Sequence, residues 1–181
     1  MHKVGAKSDF GLRRKLLAAF CTGALLPKLS WAGAPASSPL LLDLQRDGQR
    51  VRVNVLTPEG YRAAAWMLRD IKAGNVIGWP SLTLLVWAAQ LQEALNTHHA
   101  YTVFAVTSGL RTQQTNRRIE GAAQHSLHLP DANNQFHAMD FKPLGATLDQ
   151  LELIATQMPA GGVGRYSSHL HLDVRNSPAR W

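Results

Sequence analysis

His169-Leu170-His171-Leu172-Asp173-Val174 decides how the chain is read. Side chains of an extended strand alternate between two faces with a period of two. His169, His171 and Asp173 therefore share one face, and Leu170, Leu172 and Val174 share the other. The apolar face belongs to a core. The polar face gathers two imidazoles and a carboxylate, which need partners wherever water is withdrawn, and a metal ion is a usual one. The alternative is a solvated strand face with two incidental histidines, and this strand alone does not choose.

Ala138-Met139-Asp140-Phe141-Lys142 carries the same alternation. Met139 and Phe141 face a core, so Asp140 points away from it, in an element where Asp is disfavoured. Upstream, Ser126-Leu127-His128 precedes a polar loop, Pro130 to Gln135. An isolated loop histidine is usually just solvated. The three segments gain meaning only together.

The surrounding pattern expects a half-buried strand over Arg50–Val55. Thr57 caps a helix with Pro58 in its first position, running to about Lys72 and stopping at Gly74. Ser81 caps a second helix to about Thr97. Tyr101–Thr107 is a strand, residues 112–119 a short helix, and Thr147 caps a helix to about Met158. Gly161-Gly162-Val163-Gly164 is a tight turn. Helices and strands do not alternate regularly, so the class is α+β rather than a doubly wound sheet. One domain is expected over residues 35–181, entered through the leader 33–39, Gly-Ala-Pro-Ala-Ser-Ser-Pro.

The formal charge of +7 invites a nucleic-acid partner, but its distribution argues against one. Six of the 19 Lys and Arg residues lie in the first 28 positions, where Asp9 is the only acid; beyond them bases exceed acids by two. That body shows no basic stripe. Arg13-Arg14-Lys15 precedes the apolar run Leu16–Leu26, and small residues follow at Ala32, Gly33 and Ala34. This is the pattern of an export signal over residues 1–34. It resembles a twin-arginine signal, with Leu12 where Ser or Thr is usual and Lys28 suiting that route; an ordinary secretory signal is the alternative. The expectation is a periplasmic protein with no membrane anchor once the signal is cut. Cys21, the only cysteine, lies in this segment behind Phe20, which is too bulky for a lipoprotein cleavage site. The body then has no thiolate to offer, and any metal site is built from His, Asp and Glu.

The ordered set Ser108-Gly109-Leu110-Arg111-Thr112 with Asn116, then Ser126-Leu127-His128, Ala138-Met139-Asp140, Gly161–Gly164, His171-Leu172-Asp173 and the closing Arg180-Trp181 resembles the M15-type zinc peptidases. That family includes D-alanyl-D-alanine carboxypeptidases and murein endopeptidases. The resemblance covers residues 100–181 and is nearest the murein endopeptidase branch with a twin-arginine signal. It implies a small antiparallel sheet with flanking helices, of the hedgehog/D-Ala-D-Ala-peptidase type. It implies one zinc ion (Zn2+) held by His128, Asp140 and His171. Arg111 would face the substrate, and His169 takes the place where some relatives carry a histidine two residues before the last ligand. There it is the candidate for moving a proton. Asp173 would orient a ligand imidazole, and Ser126 would shape the backbone. Two imidazoles and one carboxylate leave a fourth position open for water, as catalytic zinc sites do.

The sequence departs from the family pattern at one place. Eleven residues rather than six separate His128 from Asp140, and Phe136 stands where a glycine is expected. Pro130–Gln135 reads as a loop insertion that leaves both ends in position; His125 or His137 are the alternatives as ligands or ligand partners. The implied substrate is peptidoglycan, cut at a peptide cross-link. Carboxypeptidase action on wall peptides, an inactive peptidoglycan-binding module and a periplasmic metal carrier are the competing readings. Residues 40–100 read as scaffold, with any further role left open.

Overall fold

The computed structural model describes residues 39–181; the expected export segment and the leader as far as residue 38 lie outside them. The order is β1 (Leu41–Arg46), β2 (Gln49–Asn54), α1 (Pro58–Met67), a 3-10 turn (Ile71–Ala73), β3 (Trp79–Pro80), α2 (Leu82–His98), β4 (Val103–Ser108), α3 (Gln113–Arg117), β5 (Gln135–Phe136), β6 (Ala138–Leu144), α4 (Leu148–Ala155), β7 (Gly162–Arg165), β8 (Leu170–Asp173) and β9 (Ala179–Arg180). Among the described residues no helix is long and apolar enough to cross a membrane.

Seven strands form one sheet in the order β2-β1-β4-β6-β8-β7-β9, and β3 and β5 form a separate pair. The class is α+β, as expected. The sheet is mostly antiparallel, with two parallel pairings, β1 with β4 and β7 with β9. Register explains its two faces. Leu44 of β1 lies opposite Val51 and beside Phe104, Phe104 opposite Pro143, Val106 opposite Phe141, and Phe141 opposite Leu170. This apolar row continues through Met139 and Leu172, and the rings of Phe104 and Phe141 lie 4.2 Å apart. Ala64, Met67 and Leu68 around α1, Leu84, Leu85, Leu91 and Leu95 of α2, and Leu151 and Ile154 of α4 pack onto it in a single core. Each large apolar side chain fully buried there contributes roughly 1.5–3 kcal/mol. The opposite face carries Asp43, Ser108, Asp140, His171 and Asp173.

The caps are those read from the sequence. Thr57 Oγ1 accepts from Gly60 N at 3.1 Å, Ser81 Oγ accepts from Leu84 N at 3.3 Å, and Thr147 with Gln150 forms a reciprocal capping box. Several boundaries are corrected. The first helix ends at Met67 rather than Lys72, because the Leu68 carbonyl is taken by Leu110 N at 2.8 Å and Asp70 starts a new turn by accepting from Ala73 N. Gly74, at φ +80°, ends that 3-10 turn and not the helix. The expected short helix 112–119 spans only Gln113–Arg117. Gly162–Arg165 is a strand where the glycines suggested a tight turn, and β1, β3, β5 and β9 were not anticipated.

Candidate metal centre

One row of the sheet builds the site. Asp140 lies directly opposite His171 on one side and opposite Ser108 on the other, and Gly164 follows His171. The ladder of β4 and β6 shifts between Val106 and Ser108. Such a bulge re-aims a side chain: Val106 faces the core, and Ser108 faces Asp140. Ser108 Oγ then accepts from Arg111 Nε at 2.9 Å, and Arg111 Nη2 reaches Asp140 Oδ2 at 2.5 Å. Asp140 Oδ1 is left facing His171 Nδ1 at 2.7 Å.

His128 enters from the loop side. Its backbone N donates to Ser126 Oγ at 3.3 Å, and its carbonyl accepts from Arg111 N at 2.9 Å. Its Nδ1 lies 2.7 Å from the Gly109 carbonyl, and its Nε2 lies 3.2 Å from Asp140 Oδ1 and 3.3 Å from His171 Nδ1. Gly109 sits where only glycine fits, since a Cβ there would overlap the Leu68 carbonyl.

The inserted residues fold into a closed loop. Asp131 Oδ1 accepts from Asn133 N and Gln135 N at 2.8 and 2.9 Å, and Asn134 takes a φ of +58°. Phe136 is fully buried, and β5 pairs with β3. His137 N donates to the Leu127 carbonyl at 2.8 Å, so the two ends of the insertion meet, and His128 stands beside the strand that carries Asp140. His137 itself is turned to Asp131, at 3.1 Å, and His125 is exposed. Neither belongs to the His128–Asp140–His171 group, whose ligand atoms converge as a candidate metal site.

The donor set fits a cation. A carbonyl only accepts, so His128 carries its proton on Nδ1, toward Gly109, and Nε2 presents a lone pair. Burial pushes the His128 imidazole below its usual value, which keeps it neutral. Asp173 Oδ2 accepts from His171 Nε2 at 3.0 Å, so His171 Nδ1 presents a lone pair as well. Two lone pairs and a carboxylate oxygen thus face one another 2.7 to 3.3 Å apart. Atoms around a tetrahedral zinc with bonds of about 2.0–2.1 Å are about 3.3 Å apart. The electrostatics agree. Burial alone would raise Asp140, but its bonds with His128 and His171 hold it well below the usual carboxylate range. Burial alone would lower His171, but the carboxylates of Asp140 and Asp173 beside it raise it.

A family model described as Peptidase M15 matches residues 62–173. The chain belongs to the peptidase M15 family. Comparison with curated proteins and with solved structures returned no match. The match reaches back into α1, beyond the residues on which the resemblance was read. Asp70, just after α1, accepts from Thr112 N at 2.8 Å and so fixes the loop that supplies Gly109 and Arg111.

The remaining expected residues lie around this candidate site. Arg111 is held by Ser108 and Asp140, and its Nη1 makes no hydrogen bond among the described residues. Asp173 is fully buried; it also accepts from Gly162 N at 2.9 Å and is forked by Arg175, at 2.8 Å from Nε and 2.6 Å from Nη2. Burial alone would raise Asp173, but His171 and Arg175 hold it well below its usual range. His169 is half-buried on the His171 side of β8, stacks on Tyr166 and bonds Ser168 Oγ, and burial lowers it. It makes no hydrogen bond to the three converging residues. Arg175, Tyr166 and the indole of Trp181 were not singled out as site residues. Gly164 is the signal that was available for Trp181, as Gly162 is for Asp173. A Cβ at Gly162 would strike the Asp173 carboxylate, and one at Gly164 would strike the Trp181 indole.

Proposed function

We propose that this M15 peptidase is an exported zinc enzyme that cuts peptide cross-links of peptidoglycan. One observation carries the reading: His128 Nε2, Asp140 Oδ1 and His171 Nδ1 converge with their lone pairs facing one another. These three atoms would hold the zinc. When bound, zinc supplies a nucleophile from water at neutral pH and polarises the scissile carbonyl.

The chain's own residues do the rest. The Gly109 carbonyl and Asp173 fix the orientation and tautomer of the two imidazoles, the usual office of groups behind metal-bound histidines. Arg111 neutralises the outer oxygen of Asp140 and keeps Nη1 for a substrate oxygen, either a carboxylate or the oxygen on which charge develops. His169 Nε2, free of hydrogen bonds among the described residues, takes or returns the proton on the same side of the sheet. Export is supported by the basic and then apolar pattern of residues 13–26, which places such an enzyme beside the wall.

The test is digestion of purified peptidoglycan by the zinc-loaded protein, followed by mass analysis of the muropeptides. Loss of cross-linked dimers supports the endopeptidase. Loss of terminal D-alanine alone points instead to carboxypeptidase action. Unchanged muropeptides with zinc bound overturn the substrate assignment.

A further inference from the structure

We propose that Trp181 is a positioning residue of the metal site, holding His169 through Tyr166 and His171 through Arg175 and Asp173. The roles of His169 and His171 rest on the functional reading above.

The Trp181 backbone is fixed from both sides. Arg165 N donates to its carbonyl at 2.7 Å, and its own N donates to the Val163 carbonyl at 3.3 Å. The preceding Arg180 clamps the segment, with Nη1 on the Gly161 and Ala179 carbonyls and Nη2 on Met158, each at 2.7 Å. Gly164, the strand partner of His171, leaves room for the indole, which a Cβ would approach to 2.6 Å. The indole centroid lies 5.5 Å from the His171 ring.

Two chains of contact start from this indole. Its Nε1–H donates to Tyr166 Oη at 3.1 Å, and the Tyr166 ring lies parallel to the His169 imidazole, 4.6 Å away at 9°. Among the described residues the His169 ring is otherwise hydrogen-bonded only at Nδ1, by Ser168 Oγ at 3.0 Å. On the other side the Arg175 guanidinium lies over the indole at 4.9 Å. The same guanidinium forks Asp173, which accepts from His171 Nε2. Stacking and a single hydrogen bond leave an imidazole free to turn unless the stacked ring is itself held, and Trp181 holds it. A side chain that merely sealed the sheet edge would be buried, whereas Trp181 is 48% exposed. Its removal is therefore expected to leave the fold intact.

The experiment compares Trp181→Ala, Trp181→Phe, Tyr166→Ala and Arg175→Ala in the full chain. Three quantities are read: zinc affinity by chelator competition, histidine ring signals by NMR after 15N-histidine labelling, and kcat and KM on a cross-linked muropeptide dimer. Tyr166→Ala is expected to lower kcat roughly ten- to hundredfold with KM and zinc affinity unchanged. Arg175→Ala is expected to lower zinc affinity about tenfold. Trp181→Ala should do both in part, and the His169 ring protons should lose the upfield shift that a stacked tyrosine imposes. Trp181→Phe keeps a ring beside His171 and under Arg175, so it should restore zinc affinity without restoring the His169 shift. An unchanged His169 shift and zinc affinity in Trp181→Ala, at wild-type melting temperature, overturns the proposal. If Trp181→Ala does not fold, Trp181→Phe decides it, because a retained His169 shift there overturns the Tyr166 branch. If the wild-type protein leaves the dimer uncut, the substrate reading fails, and the zinc and NMR measurements still judge Trp181.

Discussion

Asp140 and His171 are direct partners in the antiparallel register of β6 and β8, and their facing atoms, Oδ1 and Nδ1, lie 2.7 Å apart. Strand pairing itself therefore sets two of the three candidate ligands. A one-residue slip of β6 would send Asp140 into the core and bring Met139 and Phe141 to the opposite face. The third, His128, depends on a loop, and the loop depends on two hydrogen bonds, Arg111 N to the His128 carbonyl and His137 N to the Leu127 carbonyl.

Removing the acceptor behind His171 tests how much the site relies on its support. Asp173→Asn keeps the size of the side chain and discards the charge that holds His171 Nε2 and Arg175. Zinc affinity should fall about 10- to 100-fold with the fold retained. Chelator competition measures it, and an affinity within twofold of wild type would show that Asp173 does not support the ligand.

The insertion between His128 and Asp140 is anchored by Phe136 more than by its polar turn. Phe136→Ala should cost about 3–5 kcal/mol of stability, from lost burial and the cavity left behind. Asp131→Ala, at an exposed position, should cost far less and leave zinc binding intact. Denaturant melts of the two variants compare them directly; equal losses would mean that the turn, not the buried ring, sets the loop.

Gly109→Ala offers a sharper backbone test. The new Cβ would overlap the Leu68 carbonyl, which already serves Leu110 N, so neither side has a flexible end to move. Overpacking of this kind costs roughly 1–3 kcal/mol or more. It should also shift the carbonyl that holds His128 Nδ1 and weaken zinc binding, which a combined thermal melt and zinc titration would register.

These sites show what was legible in the sequence. The alternation in Leu170–Asp173 and Ala138–Lys142 and the helix caps Thr57, Ser81 and Thr147 are local signals, and local signals survive folding. The glycines at 162 and 164 misled because glycine usually marks a turn. Here they are strand residues, small because the Asp173 carboxylate and the Trp181 indole lie against them. β1 escaped notice because its Leu41-Leu42-Asp43-Leu44 run carries an acid that is 2% exposed. The partners that make Asp43 tolerable, Arg50 and Tyr101, lie 7 and 58 positions away. Asp70 caps its own turn through Ala73 N, but the partner of its second oxygen, Thr112, lies 42 residues on.

Asp43 makes a prediction about acid. Burial alone would raise its carboxyl, but hydrogen bonds from Arg50 and Tyr101 more than offset this, and its value lies below the usual one. A group depressed in the folded state stabilises above its unfolded value, about 3.9, and loses that contribution as the pH falls toward its folded value. Asp43→Asn should therefore be less stable than wild type at pH 7, by about 1–3 kcal/mol for a buried partner lost. The gap should close as the pH drops below about 4. Melting curves of both proteins from pH 7 to pH 2 measure it; a gap constant with pH would mean that the carboxylate charge is not what Asp43 contributes.

Zinc content of the purified full chain, set beside His128→Ala, Asp140→Ala and His171→Ala, tests the central claim most directly. One zinc per wild-type chain is expected, with zinc and peptidoglycan cleavage lost together in each variant while the fold is kept. A folded variant that still holds stoichiometric zinc, or a wild-type chain that takes up none, would contradict it.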